Sequence, residues 1–453
     1  MSLRPLVFVA MPFGKKPDAT RTVTIDFDAI YERAIKPALA RFDVVAIRAD
    51  EERSGGVIHL PMFERLLLAE VAIVDVTIDN ANVFYELGVR HAARPGTTII
   101  TSAKEGALPF DIAMLRAIPY RLEGGVLSPE SAAAFADALA GRLSDVLARS
   151  AGADSPLFQL IPGFPGITLP LDYKSTFRDR ADELQRLREQ LDAACLLAGP
   201  ARTEAIAAVE RELGRIGEDD LEPALDVLTA YRDAGAFDAV IALADRITAG
   251  LRRPNVAVSQ LLAFALNRRN AGNDRDRAIA VLDGVIASDG ISAETAGLMA
   301  RVYKERFEEA RVRDPFLAAG YLQHAIEWYR RGFSADPRAY YPGVNLCTLL
   351  TIDASDEALL ELRRTLPVVA FAIDRLGGVS STDYWVVASV FELAVIGNDW
   401  TLATRALSRM RTLAGAQPWM LQSSAKNLAL LHAAAPASID AKNLEGVSRS
   451  LAG

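Results

Sequence analysis

The sequence predicts two structural classes in one chain, an α/β region with a parallel sheet over residues 1–150 and an all-helical region over residues 171–453. Three observations support this division. Strand and helix patterns alternate in the first region, a proline- and glycine-rich linker occupies residues 151–170, and no strand pattern follows it. A length of 453 residues also favours two or three domains over one.

The predicted strands are short apolar runs separated by helical patterns near residues 27–41, 59–69, 80–92 and 131–148. Strands joined by helices pair in parallel through right-handed crossovers, which gives a doubly wound sheet. We expect the flavodoxin-like order 2-1-3-4-5, whose ligand crevice lies between strands one and three. The five runs are Leu6–Ala10, Val44–Ile47, Val71–Val76, Thr97–Ile100 and Ile118–Arg121, the last an edge strand because of Pro119.

The linker and the helical region carry their own signals. Prolines in the linker exclude a long helix, and its apolar side chains, such as Phe158, indicate that it packs on a surface. Beyond it, the segments Phe237–Ala244 and Arg277–Leu282, roughly 40 residues apart, resemble equivalent second helices of helix pairs, and Ala325–Phe333 gives a third. Single pairs cannot bury their apolar faces, so the sequence predicts a tetratricopeptide-like α-solenoid.

Composition excludes several functional classes. The net charge of −8 gives no overall basic field, so no nucleic-acid partner is expected. Cys195 and Cys347 are the only cysteines and the histidines lack ligand spacing, so we predict no metal site and a reducing, cytoplasmic compartment. No apolar run has the length of a membrane span, and the longest, Tyr384–Gly397, contains Glu392. The N-terminal apolar run reads as a strand rather than a signal peptide.

Three acidic residues follow the third predicted strand. Asp75 ends the strand, Asp79 lies in the next loop, and Glu86 is expected in the first turn of a helix capped by Asn80 or Asn82. Cleavage of an N-glycosidic bond needs a carboxylate at the reacting carbon and a polar group on the sugar, roles that Glu86 and Asp75 can fill. The alternative is structural: Asp75 satisfies turn amides and Glu86 favours the positive end of the helix.

The loop after the first strand contains Met11, Phe13, Gly14 and Lys15. A base can stack on Phe13, and a phosphate can be held by a lysine and turn amides. The alternative is a solvated loop, since no Walker or dinucleotide motif is present. With Asp79, Asn82 and Tyr85, these residues form the predicted nucleotide-binding set, and the turn Ser54–Gly56 is expected to cover the crevice.

Two stretches carry resemblances to known families. Phe8–Gly14, Ala72–Thr77 and Asn82–Ala92 together resemble a TIR-like and nucleoside 2-deoxyribosyltransferase-like family. That resemblance implies a catalytic glutamate at Glu86 and a sugar-binding aspartate at Asp75, with a nucleotide such as NAD as the substrate and no separate cofactor.

The second resemblance lies in the helical region. Gly297–Phe307, Ala325–Phe333 and Tyr341–Leu346 resemble the TRAF-binding, tetratricopeptide-like region of the apoptosis signal-regulating kinases, without a kinase domain. The resemblance implies a protein partner. The combined hypothesis is a signalling or antiphage-defence protein whose TIR-like domain binds a nucleotide and cleaves its N-glycosidic bond under control of the helical repeats, with homo-oligomers expected. The alternative is a non-catalytic scaffold that assembles through the TIR-like domain and binds a protein through the solenoid.

Overall fold

A computed structural model describes residues 4–18, 23–48, 59–103, 112–113, 115–148, 152–167, 171–213, 221–415, 418–434 and 436–452. The predicted turn Ser54–Gly56 lies outside these residues. The chain forms two compact units, Met1–Ala230 and Tyr231–Gly453. The predicted domain limits at residues 150 and 171 concern finer subdivisions and stay predictions.

The first unit contains a five-stranded parallel sheet in the predicted order. Numbering the parallel strands one to five along the chain, their order across the sheet is 2-1-3-4-5. The fifth strand is an edge strand, where Pro119 costs no ladder hydrogen bond. Observed and predicted bounds differ by up to two residues. The strands are β1 (Leu6–Ala10), β4 (Val45–Arg48), β5 (Val71–Asp75), β6 (Thr98–Ser102) and β7 (Ala117–Pro119).

Helices cover both faces of this sheet. Alternate residues of β1 and β5 point to opposite sides, because side chains alternate along a strand. Val9 and Ile73 pack with one helical layer, while Ala10 and Val74 pack with the other. The first layer consists of α1 (Phe27–Ile30), a π-helical turn (Tyr31–Ile35), α2 (Lys36–Leu39) and α5 (Pro129–Leu147); the second consists of α3 (His59–Leu68) and α4 (Ala81–Ala93).

A small antiparallel hairpin was not predicted. β2 (Lys15–Pro17) pairs with β3 (Thr24–Asp26), directly after the loop that follows β1. Asp26 then caps α1 by accepting a hydrogen bond from the Ala29 amide at 3.0 Å. The residues assigned to a phosphate-binding loop therefore lie partly in a strand.

The linker packs on the α/β unit, as its apolar content predicted. Its only helix in the described residues is the short α6 (Pro156–Leu160). The Thr98 amide donates to the Asp154 carboxylate at 2.9 Å, and the Ser155 hydroxyl donates to the His91 carbonyl at 2.7 Å. These contacts fix the linker at the end of α4 and the start of β6.

A buried ion-pair group joins α3 to the helices that follow the linker. Glu222 lies within 3.3 Å of the Arg65 guanidinium and also accepts from Arg188, whose side chain contacts Asp226. Glu222 is 6% exposed, so both arginines neutralise a carboxylate that water does not reach freely. The elements involved are α3, α7 (Leu171–Cys195) and α9 (Leu221–Asp233).

Every element described after residue 170 is a helix, as the sequence predicted. Many of these helices begin at a side-chain cap, as at Asn255, Ser292 and Ser355. The remaining helices are α8 (Gly199–Glu212), α10 (Phe237–Gly250), α11 (Val256–Arg269), α12 (Asp274–Asp289), α13 (Ala293–Ala310), α14 (Pro315–Ala335), α15 (Tyr340–Asp353), α16 (Asp356–Asp374), α17 (Tyr384–Ile396), α18 (Trp400–Ala414), α19 (Pro418–Ala434) and α20 (Ala441–Ala452). The three segments predicted as second helices fall within α10, α12 and α14.

The core of the second unit is centred on α15 and α17, which are buried along almost their whole length. Among the described residues, no single helix has both the length and the apolar composition to cross a membrane. Two helical segments, Asp356–Ser380 and Tyr384–Ile396, reach these values only together, and they are bent by 118° at the break between them.

Candidate functional site

Glu86 lies on α4, but not in its first turn. Asn80 caps the helix by accepting hydrogen bonds from the Asn82 and Val83 amides at 3.0 and 3.4 Å. Because α4 begins at Ala81, Glu86 falls in the second turn, and the first turn contains no acidic residue. The cap was predicted correctly, and the first-turn position of Glu86 was wrong. The first turn of α4 therefore has no carboxylate that could interact favourably with the positive end of the helix dipole.

Asp75 is fully buried and held by three donors. Its carboxylate accepts from the Thr77 amide at 3.0 Å, the Thr101 hydroxyl at 2.9 Å and the Tyr120 hydroxyl at 2.9 Å. Burial raises the pKa of the Asp75 carboxyl, and the hydrogen bonds from Thr77, Tyr120 and Thr101 oppose that rise. The Tyr120 ring stacks on Phe135 of α5 at 4.4 Å between centroids. This geometry is that of a structural carboxyl group that joins β5, β6 and the segment after β7.

Asp75 and Glu86 lie on different layers of the α/β unit, Asp75 on a strand with its side chain facing α5 and Glu86 on the helix that covers the other face. Asp75 follows Ile73 in the alternation of β5, and its partner Tyr120 belongs to the core on the α5 side. The buried side chains of α4, Val83 and Leu87, pack on the other side. Glu86 is itself 7% exposed on α4. The two carboxyl groups of the predicted pair are thus carried by different layers, and the catalytic roles of both stay predictions.

In the loop after β1, the backbone amide of Gly14 is hydrogen-bonded to a carboxylate of the protein itself. The Gly14 amide donates to Asp28 at 3.2 Å, and the Phe27 amide donates to the Gly14 carbonyl at 3.1 Å. Gly14 adopts a φ of +64°, which favours glycine. Asp28 also pairs with the Arg48 guanidinium at 3.0 Å. The turn amide that was assigned to a phosphate is therefore engaged within the protein.

The remaining predicted residues divide by exposure. Met11 is buried in the core, at 3% exposure. The exposed members follow β1 and β5, which are neighbours in the sheet with Ala10 opposite Val74. Phe13 has the Lys16 ammonium 5.0 Å from its ring centroid, and the Tyr85 ring meets Phe63 edge-on at 6.2 Å. The exposed residues at this carboxyl edge of the sheet are Phe13, Lys15, Asp79, Asn82 and Tyr85.

Arg90, four residues after Glu86, has a structural role that the sequence did not reveal. Its fully buried guanidinium donates to the carbonyls of Leu66, Ala69 and Glu70 at 2.8, 2.9 and 3.2 Å. It also donates to the hydroxyl of Thr97 at 2.9 Å. Burial and the nearby Arg94 lower the pKa of Arg90 to about 9, so it stays charged at neutral pH.

The contacts of Arg90 stabilise two unfavourable backbone features, the unpaired carbonyls at the end of α3 and the positive φ of Thr97. The carbonyls at the end of α3 lack partners within that helix, and Arg94 adds bonds to the Leu67 and Leu68 carbonyls at 2.9 and 3.0 Å. Thr97 adopts a φ of 75°, an unfavourable value for a β-branched residue. Arg90 donates hydrogen bonds to both the hydroxyl and the carbonyl of Thr97. The end of α4 is therefore a scaffold that locks α3 to β6.

His91 is also structural. It is 6% exposed, and its carbonyl accepts the Ser155 hydroxyl. Burial, with the charge of Arg90, lowers the pKa of the His91 imidazole to about 4. It is therefore neutral at physiological pH. Within the described residues, no group of three or more histidine, cysteine, aspartate or glutamate side chains has the arrangement of a metal site.

The helical unit has a polar network inside it. The Lys304 ammonium on α13 donates to the side-chain oxygens of Asn345 and Asn427 at 3.0 and 3.2 Å. The Asn427 amide donates to Glu392 at 3.3 Å, and Thr348 donates to the other oxygen of Glu392. These residues lie on α13, α15, α17 and α19, so the network holds alternate helices together across the core.

Comparison with known proteins identifies one protein family whose model matches most of the chain. The family model described as the MAP3K TRAFs-binding domain matches residues 83–446, from within α4 to α20. The mitogen-activated protein kinase kinase kinase nsy-1 of Caenorhabditis elegans is 32% identical over 222 residues, which are 46% of this chain and 14% of that protein. Mouse mitogen-activated protein kinase kinase kinase 15 is 31% identical over 221 residues, or 46% of this chain and 16% of that protein.

A third relative matches over a longer part of the chain. Human mitogen-activated protein kinase kinase kinase 6 is 24% identical over 379 residues, which are 78% of this chain and 28% of that protein. The chain thus spans less than a third of the length of each of these relatives. The predicted resemblance of the helical region is confirmed, whereas the TIR-like identity of the first domain stays a prediction. The chain belongs to the MAP3K TRAFs-binding domain family.

Proposed function

We propose that this protein is a signalling scaffold whose helical region binds a protein partner. The single observation that carries the proposal is the family match over residues 83–446, since the description of that family names TRAF proteins as its partners. The named relatives are mitogen-activated protein kinase kinase kinases, which places the proposal in signalling. No kinase activity is proposed for this chain, which corresponds to a minor part of each relative.

The helical region is suited to this role by its architecture. Consecutive helices pack against each other from α11 to α20, and the apolar faces of α13 to α20 form one continuous core. We propose that they form a tetratricopeptide-like solenoid, an architecture that presents a long surface to a partner. The buried Lys304 network keeps this surface in one arrangement, because each of its polar groups has a partner that a shift of the helices would remove.

For the α/β domain we propose association rather than catalysis. Asp75, the proposed sugar ligand, accepts from three donors within the fold, and the Gly14 amide donates to Asp28. These two polar groups are therefore engaged in holding the fold together. We propose that the TIR-like α/β domain supports homo-oligomers. Association of several chains would raise the effective concentration of their helical regions for a multivalent partner.

The test is direct binding between purified proteins. The full chain is mixed with the TRAF domain of a TRAF-family protein and passed through size-exclusion chromatography with light scattering. We expect a complex with a mass equal to the sum of its components. If no TRAF domain across the family forms a complex at concentrations up to about 100 μM, which is far above a typical signalling affinity, the proposal is wrong.

A second candidate function is nucleotide binding with N-glycosidic cleavage at the α/β domain. Two exposed aromatic rings, Phe13 and Tyr85, favour it, because they follow neighbouring strands at the edge where α/β sheets bind ligands. Incubation of the full chain with NAD, beside a Glu86→Gln variant, distinguishes the two functions. Turnover that the variant lacks supports this candidate; equal absence of turnover in both, with the chain in its TRAF-bound form, excludes it.

A further inference from the structure

The outward face of α16 carries a stripe of exposed apolar and basic side chains. Leu360, Val368 and Phe371 are 49%, 47% and 66% exposed, and Arg364 and Arg375 lie between and beyond them. At about 100° per residue, these five side chains fall within an arc of about 80° on the helix. We name them the α16 stripe. It extends over roughly 22 Å, about four turns at 1.5 Å per residue.

The helix that carries this stripe is firmly packed on its other side. Ala358, Leu362, Val369 and Ile373 are buried in the core of the helical unit. The stripe is therefore a fixed surface on an ordered helix, and its exposure does not come from loose packing of α16. Exposed apolar side chains that follow one face of such a helix indicate an interaction site.

The arginines of this face are available to a partner. In the described part of the chain, the side chains of Arg363, Arg364 and Arg375 form no hydrogen bond or ion pair. This differs from Arg330 on the neighbouring α14, which pairs with both Glu327 and Glu361. Three uncommitted guanidinium groups on one helix are notable in a chain with a net charge of −8.

Acidic residues on α16 do not neutralise the stripe. Glu361 is engaged by the bidentate contact with Arg330, at 2.7 and 2.8 Å. Asp356 and Glu357 are exposed at the N-terminal end of α16, before the stripe, and Asp374 is exposed at its C-terminal end. The stripe itself contains two arginines and no acid, with Arg363 at its margin. Between the two ends of α16 the charge available to a partner is therefore positive, from Arg363 and Arg364, next to apolar side chains.

We propose that the α16 stripe is the docking site for an acidic, amphipathic helix of a protein partner. The spacing of Leu360, Val368 and Phe371 matches the ridges that a second helix packs against, and the arginines match flanking carboxylates. The proposal rests on the proposed protein-binding function and names the surface and the chemistry of the partner segment. Hot spots of such interfaces combine a central aromatic residue with arginine, here Phe371 with Arg364 and Arg375.

The test uses two designed peptides that differ only in charge. Each is a fluorescein-labelled amphipathic helix of about five turns with leucine along one face; one carries glutamate beside the leucines and the other carries lysine. Fluorescence anisotropy with the full chain is expected to show saturable binding of the glutamate peptide and none of the lysine peptide. Binding should weaken at least about tenfold in Phe371→Glu and in the double variant Arg364→Glu/Arg375→Glu.

Matched variants make the result specific. Phe316→Glu alters a phenylalanine that is 92% exposed elsewhere in the helical unit, and it should bind as the wild type does. The double arginine variant should gain affinity for the lysine peptide. Tryptophan fluorescence, from residues that all lie in the helical unit, verifies that each variant is folded.

Several outcomes overturn the proposal. These are binding of neither peptide, equal binding of both, self-association that Phe371→Glu abolishes, or binding to phosphatidylserine vesicles in place of the peptide. The proposed function is separable from it. A TRAF complex that survives both stripe variants leaves the proposed function intact and removes the stripe as its site. If the glutamate peptide binds the stripe but no TRAF domain forms a complex, the stripe remains a docking site and TRAF proteins are excluded as its partners.

Discussion

Replacement of Arg90 by methionine tests the view that the end of α4 is a structural clamp. Methionine keeps the length and apolar stem of the side chain and removes the donors to Leu66, Ala69, Glu70 and Thr97. The bonds to Leu66 and Ala69 are wholly buried. Each buried acceptor left without a partner costs about 1–3 kcal/mol, so these two give about 4 kcal/mol. The variant also no longer buries the positive charge of Arg90, and this gain offsets the loss of the partly buried bonds to Glu70 and Thr97.

The loss is measured by hydrogen exchange with mass spectrometry, on peptides that cover β5 and β6. A loss of about 4 kcal/mol accelerates exchange roughly a thousandfold where opening limits it. All four tryptophans, Trp328, Trp385, Trp400 and Trp419, lie in the second unit. Their fluorescence therefore reports that unit separately, and it should remain unchanged.

The matched control is Arg94→Met. Arg94 donates two bonds to carbonyls that are only partly buried, so about 1–2 kcal/mol is expected. If Arg90→Met changes the exchange of β5 and β6 by less than about 1 kcal/mol, or no more than Arg94→Met does, the clamp is not what holds α3 to β6.

Three further perturbations follow from the same unit. Asp75→Ala should lower its stability by about 3 kcal/mol, whereas Asp75→Asn, which keeps an acceptor for Thr77, should stay within about 1 kcal/mol; similar losses in denaturant titrations would contradict the structural role. Glu222→Gln should cost about 3 kcal/mol because it removes the buried negative charge beside Arg65 and leaves Asp226 as the carboxylate next to Arg188, and a variant with unchanged exchange of α3 would show that the ion pairs contribute little. For His91, the unfolded chain takes up a proton between pH 6.5 and about 4 that the folded chain refuses, so stability falls over this window by up to about 3 kcal/mol. His91→Leu should lose this dependence, and an unchanged pH profile would assign it to other groups.

The sequence predicted the sheet well because its signals are local. Five apolar runs separated by helical patterns permit few right-handed arrangements, and the strand order follows from these rules. The cap at Asn80 and the edge position of Pro119 were likewise visible, since each depends on the chemistry of one residue. The hairpin of Lys15–Pro17 was missed because three-residue strands with lysine and proline carry no period-two signal.

The site was less predictable because it depends on which face each side chain occupies and on partners distant in sequence. Asp75 depends on Tyr120, 45 residues later, and Gly14 on Asp28. A strand-end aspartate has the same local sequence whether it binds a sugar or a tyrosine. Arg90 shows the reverse: no role was predicted for it, yet it binds carbonyls at the end of α3 and the hydroxyl of Thr97.

We propose that the chain binds a protein partner through its helical region and that this binding does not depend on chemistry at Glu86. The most direct measurement is a calorimetric titration of a TRAF domain into the wild-type chain and into Glu86→Gln. We expect saturable binding to both proteins, with dissociation constants that agree within about twofold. Absence of binding to the wild-type chain, or loss of binding in Glu86→Gln with the fold intact, would contradict it.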